Sequence, residues 1–270
     1  MNNSFRYGLM VCFTLMMAGC AKSSILDNHR EYSLIDSQQS PIYSKGMSTC
    51  SKTFNTADYY TDPEAYQELL NWHLQSPEAH KPSCQNNIGW LYYVIERDYQ
   101  KARGWFSLAA KEMDLNASFN LALSYDQLAQ NNDDYSKAFV LYWLVANEGH
   151  KFAQNNLAQL YMRGDGIMRN FERANYWLNK SATNGYSLAF VHLGNLYEKG
   201  YGVAQDYQQA ANYYEKAAEL EDHIGELRLA LLYLNGLGVE KNESVAKELL
   251  RSSAARGNSS ASFHLSLLSG

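Results

Sequence analysis

Small and apolar residues recur along this chain at an interval of 36 positions from about residue 84 onward. Two columns of alanines keep this interval, and a third column places Asp or Asn ahead of each alanine-rich stretch. An Asp or Asn side chain there can accept hydrogen bonds from the free amides of a first helical turn. The spacing therefore predicts five helices that begin at a fixed phase. The three columns are Ala102, Ala138, Ala174, Ala210 and Ala246; Ala110, Ala146, Ala182, Ala218 and Ala254; and Asp98, Asp134, Asn170, Asp206 and Asn242.

A different helical pattern precedes each of these stretches and is clearest in AFVHLGNLYEKGYGV, residues 189–203. We call this the first helix of each unit and number its positions from the residue equivalent to Ala189. Positions 1, 5, 8 and 9 form one apolar face at helical spacing, and position 6 is always Gly, Ala or Ser. A small residue there lets two backbones approach closely, which predicts an antiparallel hairpin with the second, alanine-rich helix. Glycine pairs such as Gly200 and Gly202 suit tight turns, and the first two units lack them, so their turns should differ.

These residues resemble the Sel1-like repeat, a relative of the tetratricopeptide repeat with the pattern A-x-x-x-L-G-x-L-Y-x-x-G-x-G-V before a K-A-x-x-W/Y-Y-x-K-A-A helix. The stretches 189–218 and 225–254 match well, 153–182 nearly as well, and 84–110 and 117–146 as degenerate copies. The resemblance implies an all-α fold, a right-handed α-solenoid of about five helix-turn-helix repeats with capping helices at both ends. The expected repeats are 84–116, 117–152, 153–188, 189–224 and 225–260, with a C-terminal cap at 261–270 and an N-terminal capping helix within 61–83.

A second stripe on the first helices offers a candidate binding surface. Positions 3, 7 and 10 lie about 200° from the buried face and would be polar if they met only water. Most are apolar or aromatic, and in helical-repeat solenoids this face lines the concave groove. The pattern therefore predicts a groove that is apolar at both ends and polar at its centre. We expect a protein-binding groove, while cover by the protein itself, by its N-terminal stalk or by tight curvature, stays an open alternative. The predicted groove residues are Asn86, Trp90, Tyr93, Phe119, Leu123, Asp126, Asn155, Gln159, Met162, Val191, Asn195, Glu198, Leu227, Leu231, Leu234, Phe263 and Leu267.

The first twenty residues predict a targeting signal rather than part of the folded protein. One basic residue, Arg6, precedes a short apolar run that ends in Ala18-Gly19-Cys20. The run is too short to span a bilayer. Its ending resembles the lipobox of bacterial lipoproteins, which implies that residues 1–19 are a signal peptide and that Cys20 is lipidated. Residues 20–60 would then form a flexible tether, and the residues after Cys20 imply sorting to the outer membrane, facing the periplasm.

Cysteine use fits an oxidising compartment. With Cys12 in the signal peptide and Cys20 lipidated, Cys50 and Cys84 remain as a possible disulfide pair, the alternative being two separately buried thiols. No Cys and His residues show zinc-like spacing, so we expect no metal.

Composition and charge exclude several classes of protein and of partner. The chain has 270 residues, 46% apolar and 19% charged, with a net charge of −5 and a mean hydropathy of −0.43. These values exclude a disordered, collagenous or polytopic membrane protein, and the absence of basic excess argues against nucleic acid. All four prolines precede residue 83, which favours a helical body.

Catalytic motifs are almost absent from the sequence, and no cofactor is predicted. The one enzyme-like string is Ser244-Val245-Ala246-Lys247, an S-x-x-K, and cysteine-rich members of the resembled family are linked to penicillin binding. The companion motifs of such enzymes, S-D-N and K-T-G, are missing from the sequence. The string is therefore better explained as ordinary surface residues of a helix.

We therefore expect a non-enzymatic, membrane-anchored periplasmic scaffold that binds a protein or peptide in its groove. Trp90, Tyr93, Phe119 and Leu123 would anchor the ligand at one end and Leu227, Leu231 and Phe263 at the other. The resemblance also implies a narrower role, an immunity protein against a phospholipase effector of type six secretion. The alternative is an enzyme acting on cell-wall fragments or β-lactams.

Overall fold

A computed structural model describes residues 63–268 of the chain. The expected signal peptide, lipidated Cys20, the tether and Cys50 lie outside the described residues. The described part contains twelve α-helices and one π-helical turn, and none of its residues form a strand. The helices are α1 Pro63–Gln75, α2 Pro82–Leu91, α3 Tyr99–Lys111, α4 Leu115–Gln127, α5 Asn132–Asn147, α6 Lys151–Arg163, α7 Phe171–Thr183, α8 Ser187–Lys199, α9 Tyr207–Glu219, α10 His223–Asn235, α11 Glu243–Ala255 and α12 Ser259–Leu267.

The helices alternate between the two predicted kinds. First helices are α2, α4, α6, α8, α10 and α12, and second helices are α3, α5, α7, α9 and α11. Each first helix packs on the second helix that follows it, and each second helix packs on the next first helix. The prediction of an all-α solenoid built from helical hairpins is confirmed. At the N-terminal end α1 packs on α2 and fills the place predicted for a capping helix.

Side-chain caps fix the start of the second helices as the sequence predicted, with one exception. Asp98, Asn170, Asp206 and Asn242 each accept a hydrogen bond from a first-turn amide. Helix α5 instead begins three residues earlier than expected, with Asn131 as its cap. The prediction of a cap at Asp134 is therefore wrong. The buried Asp134 carboxylate, at the third helical position, accepts a hydrogen bond from the Gln130 amide.

Close helix packing explains the small residue at position 6. A Cβ added to Gly194 would lie 2.5 Å from Cε1 of Tyr214, on the partner helix α9. A Cβ added to Gly89 would likewise lie 2.7 Å from Cδ1 of Phe106, on the partner helix α3. In these two hairpins the aromatic ring of the second helix occupies the space that the missing side chain leaves, and the two backbones come close enough to bury Ala102 and Ala210.

The first two repeats turn differently from the others, as their missing glycines predicted. A π-helical turn, Tyr92–Glu96, follows α2 and ends at Arg97 in the left-handed conformation, with φ of 52°. Helix α4 is followed by Leu128, with φ of −109°. In the last three repeats a glycine takes the left-handed conformation directly after the first helix, as Gly164, Gly200 and Gly236 do.

Candidate protein-binding face

The face that carries positions 3, 7 and 10 of the first helices is only partly open. Position 3 is buried in four successive repeats, where Asn86, Phe119, Asn155 and Val191 are 4% exposed or less. The following first helix covers this position at the N-terminal end, where the Asn120 side chain donates to Oδ1 of Asn86 at 2.8 Å. These position-3 residues therefore hold neighbouring repeats together and are not available to a ligand.

Two of the predicted aromatic anchors belong to the core. Trp90 is 4% exposed and packs in a cluster with Leu70 of the capping helix α1. The Phe119 ring lies 4.7 Å from the His150 ring and 5.8 Å from the Tyr142 ring. Their burial contradicts the expectation that Trp90 and Phe119 anchor a ligand, because the capping helix and the next repeat already occupy the space in front of them.

Positions 7 and 10 remain half-buried along most of the chain and define what we call the open row. This row runs from the N-terminal to the C-terminal end and includes both polar and apolar side chains. Met162, 7% exposed, is the one position-10 residue that is buried. The open row consists of Tyr93, Leu123, Asp126, Gln159, Asn195, Glu198, Leu231 and Leu234.

The middle of the open row is a charged network that joins two repeats. Nη2 of Arg163 donates to Oδ1 of Asp126 at 2.8 Å, and its Nε donates to Oδ2 of Asp165 at 2.6 Å. Nη1 of the same guanidinium lies 3.5 Å from Oε1 of Gln159. Burial alone would lower the pKa of Arg163, but the two carboxylates outweigh it and raise that pKa. The arginine is thus held as a cation between two repeats.

A second acidic residue of the row is satisfied within its own hairpin. Oε2 of Glu198 accepts a hydrogen bond from the Tyr214 hydroxyl at 2.7 Å, and Oε1 accepts from Nζ of Lys199 at 2.7 Å. Burial raises the pKa of Glu198, but the hydrogen bonds from Lys199 and Tyr214 outweigh it and set that pKa below its usual range. The centre of the row is therefore polar and charged, as the sequence pattern predicted.

The C-terminal end of the same face is apolar and accessible. Leu227, Leu231 and Leu234 of α10 are half-buried. On α12, Phe263 and Leu267 are 60% and 63% exposed. Phe263 occupies position 3, which is buried in the first four repeats and half-buried at Leu227, and within residues 63–268 no helix follows α12. The predicted apolar C-terminal end is thus the part of the face that the structure leaves open.

The second helices carry an exposed apolar cluster, which we call the α5 patch and which was not predicted from the sequence. Val140, Trp143 and Leu144 are 61%, 50% and 44% exposed, and their spacing puts them on one side of α5. Leu108 of α3 lies 36 residues before Leu144, and Tyr176 of α7 lies 36 residues after Val140. Both are also exposed and complete the five residues of the α5 patch. The sequence signal that could have revealed the patch is its contrast with a later repeat. On α9 the residues equivalent to Val140, Trp143 and Leu144 are the polar Asn212, Glu215 and Lys216.

A shallow cleft of about 620 Å³ separates the first two repeats. In later repeats the turn glycine docks on the preceding second helix, as Gly166 does through hydrogen bonds to Asn132 and Ser136. Gln130 stands 36 residues before Gly166 and lines the cleft instead. Both Arg97 and Asp98 also line it, so the cleft presents no single charge to a ligand.

The S-x-x-K string lies on the surface of α11. Ser244 is exposed, and Nζ of Lys247 is bound to Oε1 of Glu243 at 2.7 Å. The lysine ammonium is therefore engaged by a carboxylate rather than directed at the serine, which does not resemble an activated nucleophile. Loss of labelled penicillin uptake on changing Ser244 would support the enzyme alternative.

Other predicted features can be placed only in part. Cys84 is fully buried in α2. Its disulfide with Cys50 stays a prediction, because Cys50 lies outside the described residues. Among residues 63–268, no His, Cys, Asp and Glu side chains gather as a metal site would. None of the helices in that range is long and apolar enough to cross a membrane.

Comparison with known proteins agrees with the repeat geometry. The Sel1 repeat family matches residues 82–112, 151–186, 191–222 and 223–258. The chain belongs to the Sel1 repeat family. The matched segments are first-and-second-helix pairs, and the α4–α5 hairpin lies between the first two of them. Sel1 repeat proteins are generally non-enzymatic scaffolds for protein–protein contacts. A search of curated proteins found no match to the chain.

Three solved structures illustrate what the chain is similar to. A Sel1 repeat protein from Oxalobacter formigenes is 30% identical with a TM-score of 0.66, over 78% of this chain and 84% of that one. A protective antigen of uropathogenic Escherichia coli with this repeat fold is 24% identical, TM-score 0.48, over 73% and 50%. An immunity protein from Pseudomonas aeruginosa is 21% identical, TM-score 0.44, over 75% and 68%.

Proposed function

We propose that this Sel1 repeat protein is a lipid-anchored scaffold of the bacterial envelope that binds a protein through the open row and its C-terminal extension. The observation that carries the proposal is the accessible apolar end formed by Leu231, Leu234, Phe263 and Leu267. Contiguous apolar surface of this kind marks interaction sites in soluble proteins. The side chains lie on consecutive first helices, so a partner helix or extended segment can contact several of them at once.

The polar centre of the row gives the proposed partner its chemistry. Gln159 and Asn195 present amides beside the carboxylates of Asp126 and Glu198. A partner surface with an apolar patch and adjacent hydrogen-bonding side chains complements this arrangement. Since Asp126 is already neutralised by Arg163 and Glu198 by Lys199, the amides are the groups that select the partner's polar side.

The narrower form of the proposal is an immunity protein that blocks a phospholipase effector of type six secretion. It comes from the resemblance to lipoproteins of this repeat family and suits an anchored scaffold with an open binding face. Co-expression of this chain with a phospholipase encoded beside it tests the role directly. Protection of the producing cell supports the narrower form, and full toxicity in the presence of the folded chain contradicts it.

Photo-crosslinking from Leu231 tests the binding face. A photoreactive side chain at Leu231 in the full chain should capture a discrete envelope protein, because this residue sits between the polar centre and the apolar end. Leu234→Asp or Phe263→Asp should reduce the capture at least tenfold, the effect of losing about 1.4 kcal/mol of binding. The same photoreactive side chain at Gln208, which is exposed on α9, is the control. Equal capture from both positions would refute the assignment of the face.

Lipidation at Cys20 is tested by metabolic labelling. The chain should incorporate palmitate, and Cys20→Ser should abolish the label and release the protein from membranes, since two or more acyl chains are needed for stable anchoring. Separation of inner and outer membranes on a density gradient then examines the proposed outer-membrane location. Membrane association of an unlabelled Cys20→Ser protein at the wild-type level would contradict the anchor.

A further inference from the structure

The α5 patch is an exposed surface that the repeat pattern does not require. On α9 and α11 the positions equivalent to Val140, Trp143 and Leu144 are polar in both repeats, so packing of the solenoid does not call for apolar side chains there. The five patch residues lie at corresponding positions of three successive second helices. Their exposed fractions range from 44% to 61%. Exposed apolar clusters of this kind mark interaction sites.

The side chains of the α5 patch are those of a membrane interface. Trp143 and Tyr176 are amphipathic rings, which favour the headgroup region of a bilayer, while Val140, Leu144 and Leu108 are purely apolar. Nζ of Lys180 lies 5.5 Å from the centre of the Tyr176 ring, which places a cation at the rim of the patch. Aromatic, aliphatic and basic side chains on one helical surface are the combination that binds lipid headgroups and the outer part of the acyl chains.

Charge favours an anionic lipid surface over a protein partner. The three helices that carry the patch hold six basic side chains and three acidic ones, although the whole chain has a net charge of −5. The two remaining second helices, α9 and α11, hold three basic and four acidic side chains. Three of the six basic side chains lie within one helical turn of a patch residue: Lys111 of Leu108, Lys137 of Val140 and Lys180 of Tyr176. Lys137 is paired with Asp133, while Arg103 and Arg173 bond to groups of first helices. Basic residues at the edge of an apolar surface each strengthen its attraction to an anionic leaflet. The basic residues of the three helices are Lys101, Arg103, Lys111, Lys137, Arg173 and Lys180.

We propose that the α5 patch lies on the anionic lipid surface to which the chain is attached, with Trp143 at the depth of the headgroups. The proposal rests on the membrane anchor of the proposed function and adds an orientation to it. With the second helices of the first repeats on the lipid, the open row on the first helices is left for the protein partner. Lipidation holds the protein at the membrane, and the patch fixes which side of the solenoid meets it.

Quenching of Trp143 by brominated lipid tests this orientation. Full-length acylated protein is reconstituted in vesicles of phosphatidylethanolamine and phosphatidylglycerol, with and without brominated acyl chains. The chain has five tryptophans. If Trp143 alone reaches the lipid, bromination should remove up to about a fifth of the emission. Trp143→Phe should abolish that loss, and replacing phosphatidylglycerol by phosphatidylcholine should reduce it at least twofold.

Two matched variants separate the patch from other exposed apolar residues. Val140→Asp keeps the Trp143 reporter and should reduce its quenching severalfold, because a carboxylate replaces a side chain that is 61% exposed beside it. Phe263→Asp changes a residue of equal exposure, 60%, on α12 and should leave the quenching unchanged. Similar circular dichroism spectra and melting temperatures of the two variants establish that both are folded.

The outcomes distinguish the patch from the anchor. Palmitate labelling and flotation with vesicles report the anchor alone. Floating protein whose Trp143 is not quenched overturns the proposal while leaving the anchor intact. Shielding of Trp143 that depends on protein concentration and not on lipid overturns it in favour of self-association. Shielding that appears only with a captured envelope protein overturns it in favour of a second protein site.

Discussion

At the scale of single residues, the caps of the first helices form one more column of the 36-residue period. Asp114, His150, Tyr186, Asp222 and Asn258 precede five successive first helices. Four of them accept a hydrogen bond from an amide of the first turn, and Tyr186 does not. Three are ordinary capping residues. His150 is the exception, because its ring can accept through Nδ1 only while the imidazole is neutral.

His150 should make folding stability depend on pH. Burial lowers its pKa from 6.5 to about 4, and the charge of Lys151 adds to this effect. Since the folded pKa lies below the unfolded one, the free energy of unfolding is highest above pH 6.5. It falls as the pH drops toward 4, where the unfolded chain binds a proton and the folded chain does not, and the loss reaches about 3 kcal/mol.

The variant His150→Asn should keep the cap and remove this dependence. Asparagine is a good capping residue, as Asn258 is in the last repeat, so the loss of stability at pH 7.5 should be limited to the contact of the imidazole with the Phe119 ring. Urea unfolding at pH 7.5 and 4.5 measures the difference for both proteins. If the variant loses as much stability on acidification as the wild type does, the histidine is not the responsible group.

At the scale of the helix pair, a missing side chain sets how closely the two helices approach. Tyr214 is fully buried, and its hydroxyl is fixed by Glu198, so its ring cannot move away from the α8 backbone. The space over Gly194 is therefore already filled. The period of small residues along the sequence indicated this contact, but not which aromatic ring would make it.

Alanine at two helical glycines should act in opposite directions. Gly194→Ala should lower the free energy of unfolding by about 1–3 kcal/mol, because the new Cβ overlaps the Tyr214 ring. Gly104→Ala, in α3 with no heavy atom within 4 Å of the added Cβ, should raise it by about 0.5–1 kcal/mol. Denaturant unfolding of both variants compares the two effects. A neutral result for Gly194→Ala would show that the helices can separate without cost.

At the scale of the whole described solenoid, stability depends on how each repeat docks on the one before it. The turn after each first helix of the last three repeats packs a glycine against the start of the preceding second helix, as Gly166 does against Tyr135 and Ser136. Side chains reinforce the same interface, where Arg163 joins Asp126 of the preceding repeat. A repeat contacts only its neighbours, so a defect at one interface weakens both repeats that share it.

Substitution of a docking glycine should therefore cost more than substitution of a free one. Gly238 has φ of +69°, and a Cβ there would overlap the backbone carbonyl of Tyr207 in the preceding repeat. Gly185 has φ of +75° with no heavy atom within 4 Å of an added Cβ. Gly185→Ala should cost about 1 kcal/mol of backbone strain, and Gly238→Ala at least about 2 kcal/mol. Thermal melts that show the same loss for both would refute the role of docking.

The candidate site was predictable only in outline. The sequence placed the face on positions 3, 7 and 10 of the first helices and gave its polar centre and apolar C-terminal end. It assigned Trp90 and Phe119 to that surface, since their spacing is the same as that of the accessible Leu231 and Phe263. Burial separates them because α1 covers Trp90, and residues of the next repeat cover Phe119. Such cover depends on neighbours distant in sequence, which a helical period does not record.

The sequence by itself determined the period, the number of hairpins, the starts of most helices and the small residues at their contacts. These features are local, because a cap, a turn glycine or an apolar face needs only residues within one or two turns of a helix. Only the tertiary structure decided that position 3 is closed in the first four repeats, that the same position is open at Phe263, and that Val140, Trp143 and Leu144 are exposed. The physical reason is that exposure depends on how tightly successive repeats approach one another, and that distance is set by all the contacts of an interface together.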